Sequence, residues 1–264
     1  MPTTTILLKS WNVLHGVHEF NYSFNESPVL QKYRGGNTPN QSDLSKHVPL
    51  ENARMCDLSK TIQNQLSENC VMCLQEVPGD LLSMLQTEAS DYQCHSYKYS
   101  RQPKLKNLSG ELYNDQAEYL VTLTHKNLPI QKVETIQFDD PGKACLVVNL
   151  EGLSIMNVHL SFGEARNKAL DQVFHYPSGS YVFLGDMNMS PEEFKDYLRL
   201  RNLSHLSIHS TKENTRKGVR SDGKVYTSKL DYFVAPKNVL FRNVTVDSNE
   251  DLSDHAMIHS MVTY

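Results

Sequence analysis

Six short segments carry side chains able to do chemistry: Trp11-Asn12, Leu74-Gln75-Glu76, Asn157-Val158-His159-Leu160, Gly185-Asp186-Met187-Asn188, Leu230-Asp231-Tyr232-Phe233 and Ser253-Asp254-His255. The fourth is the most informative. VFLGDMNMSP ends an apolar run, of the kind that makes a buried strand, in a carboxylate and a carboxamide two residues apart. Gly, Asp and Asn are common turn formers, so a turn accounts for that trio taken alone. Each of the others also has a bland explanation. A Glu at a strand end is ordinarily solvated, a His on an apolar strand is ordinarily a hydrogen-bonded core residue, and Ser-Asp-His is ordinarily a turn. Acid, amide and imidazole groups closing one strand after another are different, because these are the residue types of acid–base and metal-assisted chemistry.

Such groups need a scaffold. At 264 residues the chain can hold one large or two small domains, and 39% apolar residues suffice for a substantial core. Lys plus Arg number 26 against 30 for Asp plus Glu, a net charge of -4. That balance excludes a protein that coats nucleic acid non-specifically, while permitting a local basic groove. The start, MPTTTILLKSW, lacks the cationic lead and long apolar run of a signal peptide. No stretch approaches the ~20 apolar residues that span a bilayer. The expectation is a soluble intracellular protein, cytoplasmic or nuclear, with no membrane anchor and no obligate protein partner. Cys56, Cys70, Cys73, Cys94 and Cys145 are odd in number and scattered. Cys70 and Cys73 have metal-site spacing but lie in a strand-like run with no second Cys or His pair, so buried free thiols are expected.

ILLKSWNV reads as a first strand. A polar segment from about His15 to Pro49 follows, broken by prolines and glycines and containing Phe20, Tyr22, Phe24 and Tyr33; it reads as a packed loop beside a substrate. Leu50, Ala53, Leu58, Ile62 and Leu66 mark a helix. CVMCLQEV is a strand and PGDLLSMLQTEA a helix. YQCHSYKY, EYLVTLTH, IQKVETIQF, ACLVVNL and SIMNVHL are strands in close succession. Gly163 to Phe174 is helical, VFLGD a strand, and Ser190-Pro191-Glu192-Glu193 a helix start with a capping box. KLDYFVA, VLFRNVTV and AMIHSMV are the last strands. The fold class is α/β, and two packed mixed sheets with outer helices fit better than a doubly wound parallel sheet.

In their order and intervals, WN, LQE, NVHL, GDMN, LDYF and SDH strongly resemble the endonuclease/exonuclease/phosphatase superfamily. Its metal-dependent phosphodiesterases include deoxyribonucleases, abasic endonucleases, tyrosyl-DNA phosphodiesterases, deadenylases, sphingomyelinases and inositol-phosphate phosphatases. The resemblance runs from Ser10 to about Ile258. It implies a four-layer α/β sandwich, two packed mixed β-sheets flanked by helices, with 1–264 forming a single catalytic domain. It also implies Mg²⁺, with Mn²⁺ as a substitute. A hard cation aligns water with an anionic phosphorus and neutralises charge, and Mg²⁺ prefers carboxylates, waters and phosphate oxygens. By resemblance Glu76 is a metal ligand, Asp254 a second acid at the metal, and Asn12 a support for ligands and phosphate. His255 meets the scissile phosphate and Asp231 accepts its ring N–H. Asp186 orients or deprotonates the attacking water, and Asn188 donates to the phosphate. His159 matches a histidine on the other side of the phosphate. Glu118 would orient it, with Asp115 and Tyr113 competing for that role. Arg166 matches an arginine on the substrate side, although an ordinary surface helix residue fits its position equally.

One departure stands out. Several relatives carry an Asp two residues past the motif's Asn, where this chain has Leu14, which favours one Mg²⁺ at a time. WNVL is closer to the deadenylase and nocturnin-like branch, LDYF to the abasic endonucleases. Two basic stretches, Lys98, Arg101, Lys104 and Lys106 beside Tyr97 and Tyr99, and Arg216, Lys217, Arg220, Lys224 and Lys229, suit single-stranded nucleic acid. Acidic neighbours such as Glu213 and Asp222 dilute the second. The expected activity is therefore hydrolysis of RNA or DNA, as a nuclease or an end-processing phosphodiesterase. The alternatives are a phosphatase or phospholipase C-type hydrolase of inositol phosphates or sphingomyelin, and an inactive binding protein of the same fold.

Overall fold

Apolar runs and alternating patterns become strands, and the strands become two sheets laid face to face. The structure, a computed structural model, describes residues 4–22, 27–35, 44–106, 108–140, 142–175, 179–219, 224–247 and 251–264. The chain opens with β1 (Thr5–Asn12), α1 (Gly16–Tyr22), α2 (Pro28–Arg34), α3 (Leu44–Gln65), β2 (Cys70–Pro78), α4 (Gly79–Glu88) and β3 (Tyr92–Lys98). Then come β4 (Glu118–His125), β5 (Ile130–Gln137), β6 (Ala144–Leu150), β7 (Leu153–His159), α5 (Gly163–Phe174), β8 (Tyr181–Asp186) and α6 (Pro191–Leu200). The last strands are β9 (Leu206–His209), β10 (Arg216–Val219), β11 (Val225–Ser228), β12 (Asp231–Pro236), β13 (Leu240–Asp247) and β14 (Met257–Thr263).

One six-stranded sheet runs β13-β14-β1-β2-β4-β3, the other β5-β6-β7-β8-β12-β9, and β10-β11 form a separate hairpin. Both sheets are mixed, since β1–β2 and β7–β8 are parallel and their other pairings antiparallel. Ile6, Leu8, Val71, Val148, Leu184, Phe233 and Ile258 fill the space between the sheets. On the outer face of the first sheet, Met72 and Leu74 meet Met55, Leu58 and Leu81 of α3 and α4. On the outer face of the second, Met156 and Phe183 meet Leu170, Val173 and Phe194 of α5 and α6. The result is the four-layer α/β sandwich, two mixed sheets between helices. Within the inter-sheet core, Gln75 Nε2 donates to Asn157 Oδ1 (2.8 Å), and Asn157 Nδ2 donates to the carbonyl of Val121 (2.9 Å). Asn157 of the NVHL segment thus ties the two sheets together.

Some sequence expectations need correction. The segment from His15 to Pro49 holds α1, α2 and the start of α3, not one packed loop. Pro49 lies inside α3, near enough to its start that the missing N–H forfeits just the bond to Ser45. Phe24, Gly36 and Pro39 of that segment, and Arg220 and Asp222 of the second basic stretch, lie outside the described residues. Cys70, Cys73 and Cys145 are buried free thiols, but Cys56 is exposed. The capping box closes as expected, with Glu193 N–H donating to Ser190 Oγ (3.2 Å) and Ser190 N–H to Glu193 Oε2 (2.8 Å).

Candidate active site

Strand register places the polar ends in a row. His159 at the end of β7 pairs with Asp186 at the end of β8, and Asp186 pairs with Asp231 at the start of β12. Gly185 makes the close approach of β7 and β8 possible. Its φ is +137°, and a Cβ there would stand 1.9 Å from the carbonyl oxygen of Val158. From the other sheet, β1 delivers Asn12 and β2 delivers Glu76. Glu76 (φ 55°) and Asn188 (φ 48°) both occupy the left-handed region, a conformation side chains reach at a cost and one that gathers at functional sites. Glu76 owes it to the irregularity in β2–β4 pairing between Leu74 and Val77.

The two carboxylates at the centre are each tied by one backbone N–H and share one side-chain amide. Glu76 Oε2 accepts from His15 N–H (3.1 Å), and Asp186 Oδ1 from Asn188 N–H (2.9 Å). Their remaining oxygens both accept from Asn12 Nδ2, at 2.9 Å for Glu76 Oε1 and 3.1 Å for Asp186 Oδ2. Two imidazoles flank Asp186 Oδ2, His255 Nε2 at 3.6 Å and His159 Nε2 at 3.7 Å. Asp231 Oδ2 holds His255 Nδ1 at 2.8 Å and accepts from Thr215 Oγ1 at 2.6 Å. Glu118 divides its oxygens, Oε2 lying 2.6 Å from His18 Nε2 and Oε1 3.7 Å from His159 Nδ1.

Crowded carboxylates set the protonation of the histidines. Burial opposes charge on His255, but Asp231, Asp186 and Asp254 outweigh it and raise its pKa to about 10. Burial likewise opposes charge on His18, and Glu76 and Glu118 raise it to about 9. Burial would push Glu76 up, yet His18 and His159 draw it down to about 2. Burial lowers fully buried His15 to about 4, outweighing the upward pull of Glu118 and Glu76.

Glu76, His159 and Asp186 each offer a ligand atom within 4.8 Å of the others, as do Asp186, Asp231 and His255. Two hard, anionic oxygens facing one another across a single amide suit a divalent cation, so the donor set fits a metal. Asp254, expected as the second acid beside Glu76, pairs through Oδ2 with Arg216 Nε (3.1 Å), and Asp186 is the carboxylate next to Glu76. Asn12 supports both carboxylates with its amide nitrogen, while its oxygen accepts from Leu14 N–H (3.0 Å). Asn188 faces the cleft and donates through Nδ2 to the carbonyl of Leu160 (2.7 Å). Arg166 works from behind, its Nη1 donating to the backbone carbonyl of Asn188 (2.6 Å).

These groups line a cleft of about 1090 Å³. Arg101, Lys104 and Lys106 from the first basic stretch and Arg216 and Lys217 from the second reach it. Sequence reasoning did not single out His18, Lys143, Tyr226 or Phe162, which also line it. Lys143 is desolvated, which lowers its pKa, and Phe162 is 70% exposed. His18 lies one helical turn past His15, a spacing that would have signalled it had the segment been read as a helix. No helix among the described residues is long and apolar enough to cross a membrane.

Residues 10–255 match the profile of the Endonuclease/Exonuclease/phosphatase family. Among solved structures, the endonuclease/exonuclease/phosphatase from Bacteroides vulgatus superposes with a TM-score of 0.63 at 14% identity, over 98% of each chain. TDP2 from D. rerio, complexed with a single-strand DNA product, gives 0.62 at 16% identity, over 98% of this chain and 99% of that one. ANGEL2, a 2′,3′-cyclic phosphatase in complex with adenosine-2′,3′-vanadate, gives 0.62 at 14%, over 99% and 96%. At such identities the likeness is one of fold. No curated protein matches the sequence. With the profile match reaching from Ser10 to His255, one flank of the cleft to the other, the chain belongs to the endonuclease/exonuclease/phosphatase family of phosphoesterases.

Proposed function

We propose that the chain, as one catalytic domain over 1–264, is a Mg²⁺-dependent phosphodiester hydrolase of nucleic acid, a nuclease or end-processing enzyme. The observation that carries this reading is the row His159–Asp186–Asp231 set by strand register, with Glu76 and Asn12 brought against it from the other sheet. When bound, a divalent cation supplies charge neutralisation at the phosphate oxygens and a more acidic water. Glu76 is the carboxylate that would hold it, supported by Asn12, with Asp186 as the neighbouring acid and Asp254, paired with Arg216, farther along the same cleft.

Asp186 orients the attacking water and takes its proton at Oδ2. His255, pinned at Nδ1 by Asp231, presents Nε2 to the phosphate as a charged donor. Asn188 has a second amide N–H beyond the one bonded to Leu160, and that donor faces the developing charge. His159 approaches from the opposite side, oriented by Glu118. Arg166 keeps Asn188 in place rather than touching substrate. The nucleic-acid assignment is supported by the cations Arg101, Lys104, Lys106, Lys143, Arg216 and Lys217 on the cleft, with Phe162 and Tyr226 as faces on which bases stack. The DNA product held by the D. rerio TDP2 structure supports it too.

One panel tests the reading: single-stranded RNA including poly(A), single- and double-stranded DNA, a 5′-tyrosyl DNA adduct, sphingomyelin and an inositol polyphosphate, each with Mg²⁺. Cleavage is expected among the nucleic acids, and Asp186→Asn is expected to cut it by ~10²-fold or more with the fold intact. Cleavage confined to the last two substrates would move the enzyme to the lipid and inositol-phosphate class. Full turnover in Asp186→Asn would remove that residue from the chemistry.

A further inference from the structure

Arg54 belongs to no motif and does not reach the cleft, yet it joins the two turns that carry the site. It lies on α3 and is fully buried. Its Nη1 donates to the carbonyl of Val13 (2.9 Å) and to that of Leu252 (2.7 Å), and its Nη2 to that of Leu14 (2.7 Å). Nε and the remaining Nη2 proton go to Glu51, so all five guanidinium N–H groups are used. Glu51 is in turn fixed by Arg34 and by Tyr113, whose hydroxyl accepts from Gly16 N–H (2.7 Å).

The three carbonyls come from two places far apart in sequence. Val13 and Leu14 follow Asn12, and at φ 59° Leu14 bends a turn whose inward carbonyls need donors. Leu252 opens the turn that ends in His255. The same turns meet again where Ser253 Oγ donates to the carbonyl of Asn12 (2.7 Å) while accepting from His255 N–H (3.1 Å). A buried ion pair is weak evidence for stability, since apolar side chains often serve as well. No apolar side chain, and no lysine, can grip three carbonyls and a carboxylate in one plane.

We propose that Arg54 is a positioning residue for the reaction, a clasp that sets the spacing between the Asn12–His15 turn and the Leu252–His255 turn. The first turn carries the amide that bridges Glu76 and Asp186, and the second carries the imidazole held by Asp231. Their fixed spacing makes both halves address one phosphate. This inference rests on the proposed reading of the site as hydrolytic.

The test compares wild type with Arg54→Lys, with Ser253→Ala, which removes the second stitch, and with Leu58→Ala, a control in the apolar face of α3. Each is assayed for kcat and KM, for Tm with and without Mg²⁺, and for the nitrogen-15 histidine spectrum, which reads the His255 ring without turnover. A misplacement of about 1 Å costs about 10²-fold in rate, so Arg54→Lys is expected to lose about that much kcat with KM little changed. Ser253→Ala is expected to lose about tenfold, with a fall in Tm smaller than that of Leu58→Ala. The Mg²⁺-induced rise in Tm should shrink and the His255 resonances should move in both. Leu58→Ala should lower Tm while leaving kcat and the His255 resonances as they are. Wild-type kcat in Ser253→Ala or in folded Arg54→Lys, or an equal loss in Leu58→Ala, would overturn the clasp. If Arg54→Lys does not fold, Ser253→Ala decides. A wild type that hydrolyses no phosphodiester would sink the functional reading instead, and an unmoved His255 spectrum in Ser253→Ala would then separately sink the clasp.

Discussion

Under α1, α2 and α3, Glu19 and Glu51 meet Arg34 and Arg54, and every buried charge has a permanent opposite. In the neighbouring cleft, Glu76, Glu118, Asp186 and Asp231 meet imidazoles instead, His18, His159 and His255. Guanidinium keeps its charge at any ordinary pH, whereas an imidazole can surrender its proton. The first cluster is therefore complete as it stands. The second has counter-charges that can leave, and its carboxylates converge where a cation fits. Clustered charge thus produces scaffold in one place and reactivity in the other, and the kind of positive partner separates them.

Chelation probes that contrast most strongly. Turnover should fall to background in EDTA and return with Mg²⁺ or Mn²⁺, while circular dichroism shows the fold retained, because the arginine network needs no ion. Undiminished turnover after thorough chelation would erase the distinction. Next in size, Glu51→Gln should cost about 3–5 kcal/mol in urea unfolding, since it strands a buried arginine. Its acid dependence follows from its pKa. Burial opposes ionisation of Glu51, but Arg54 and Arg34 hold its pKa at about 2 against 4.5 in the unfolded chain. Between those values the unfolded chain binds the extra proton, so this stabilisation, about 3 kcal/mol, is full above pH 4.5 and fades toward pH 2. Tm measured down that range should fall less steeply in Glu51→Gln than in wild type.

Two smaller effects sharpen the contrast within the cleft. Asp231→Asn should lower kcat by ~10²-fold, because it disturbs the orientation and charge of His255. Glu118→Gln should cost about tenfold, less than Asp231→Asn, because His159 lies farther from its carboxylate and Glu118 is shared with His18. Equal losses in kinetic assays would show that the two imidazoles are held alike.

Much of the site was legible because its residues end apolar strands: VFLGD and EYLVTLTH announce β8 and β4 by hydrophobicity, and the register of β7, β8 and β12 then brings His159, Asp186 and Asp231 together. The helices α1 and α2 were not legible, for a physical reason. Their buried residues include Glu19 and Arg34, which neutralise each other inside the protein but read as surface in one dimension. His18 was lost with them. The partner of Asp254 was equally invisible, because Arg216 stands 38 residues away on a hairpin of short strands. Capping and strand patterns are local, whereas ion pairing between distant segments is not.

The amide bridge from Gln75 to Asn157 has a bearing on how the protein matures. Two apolar sheet faces can slide over each other at little cost, but a slip would part Asn157 from the Gln75 amide and the Val121 carbonyl of the other sheet and leave a buried amide unanswered. Correct mating of the halves just beneath the cleft is thereby favoured over a slipped one, so the strands that carry the site meet in one alignment.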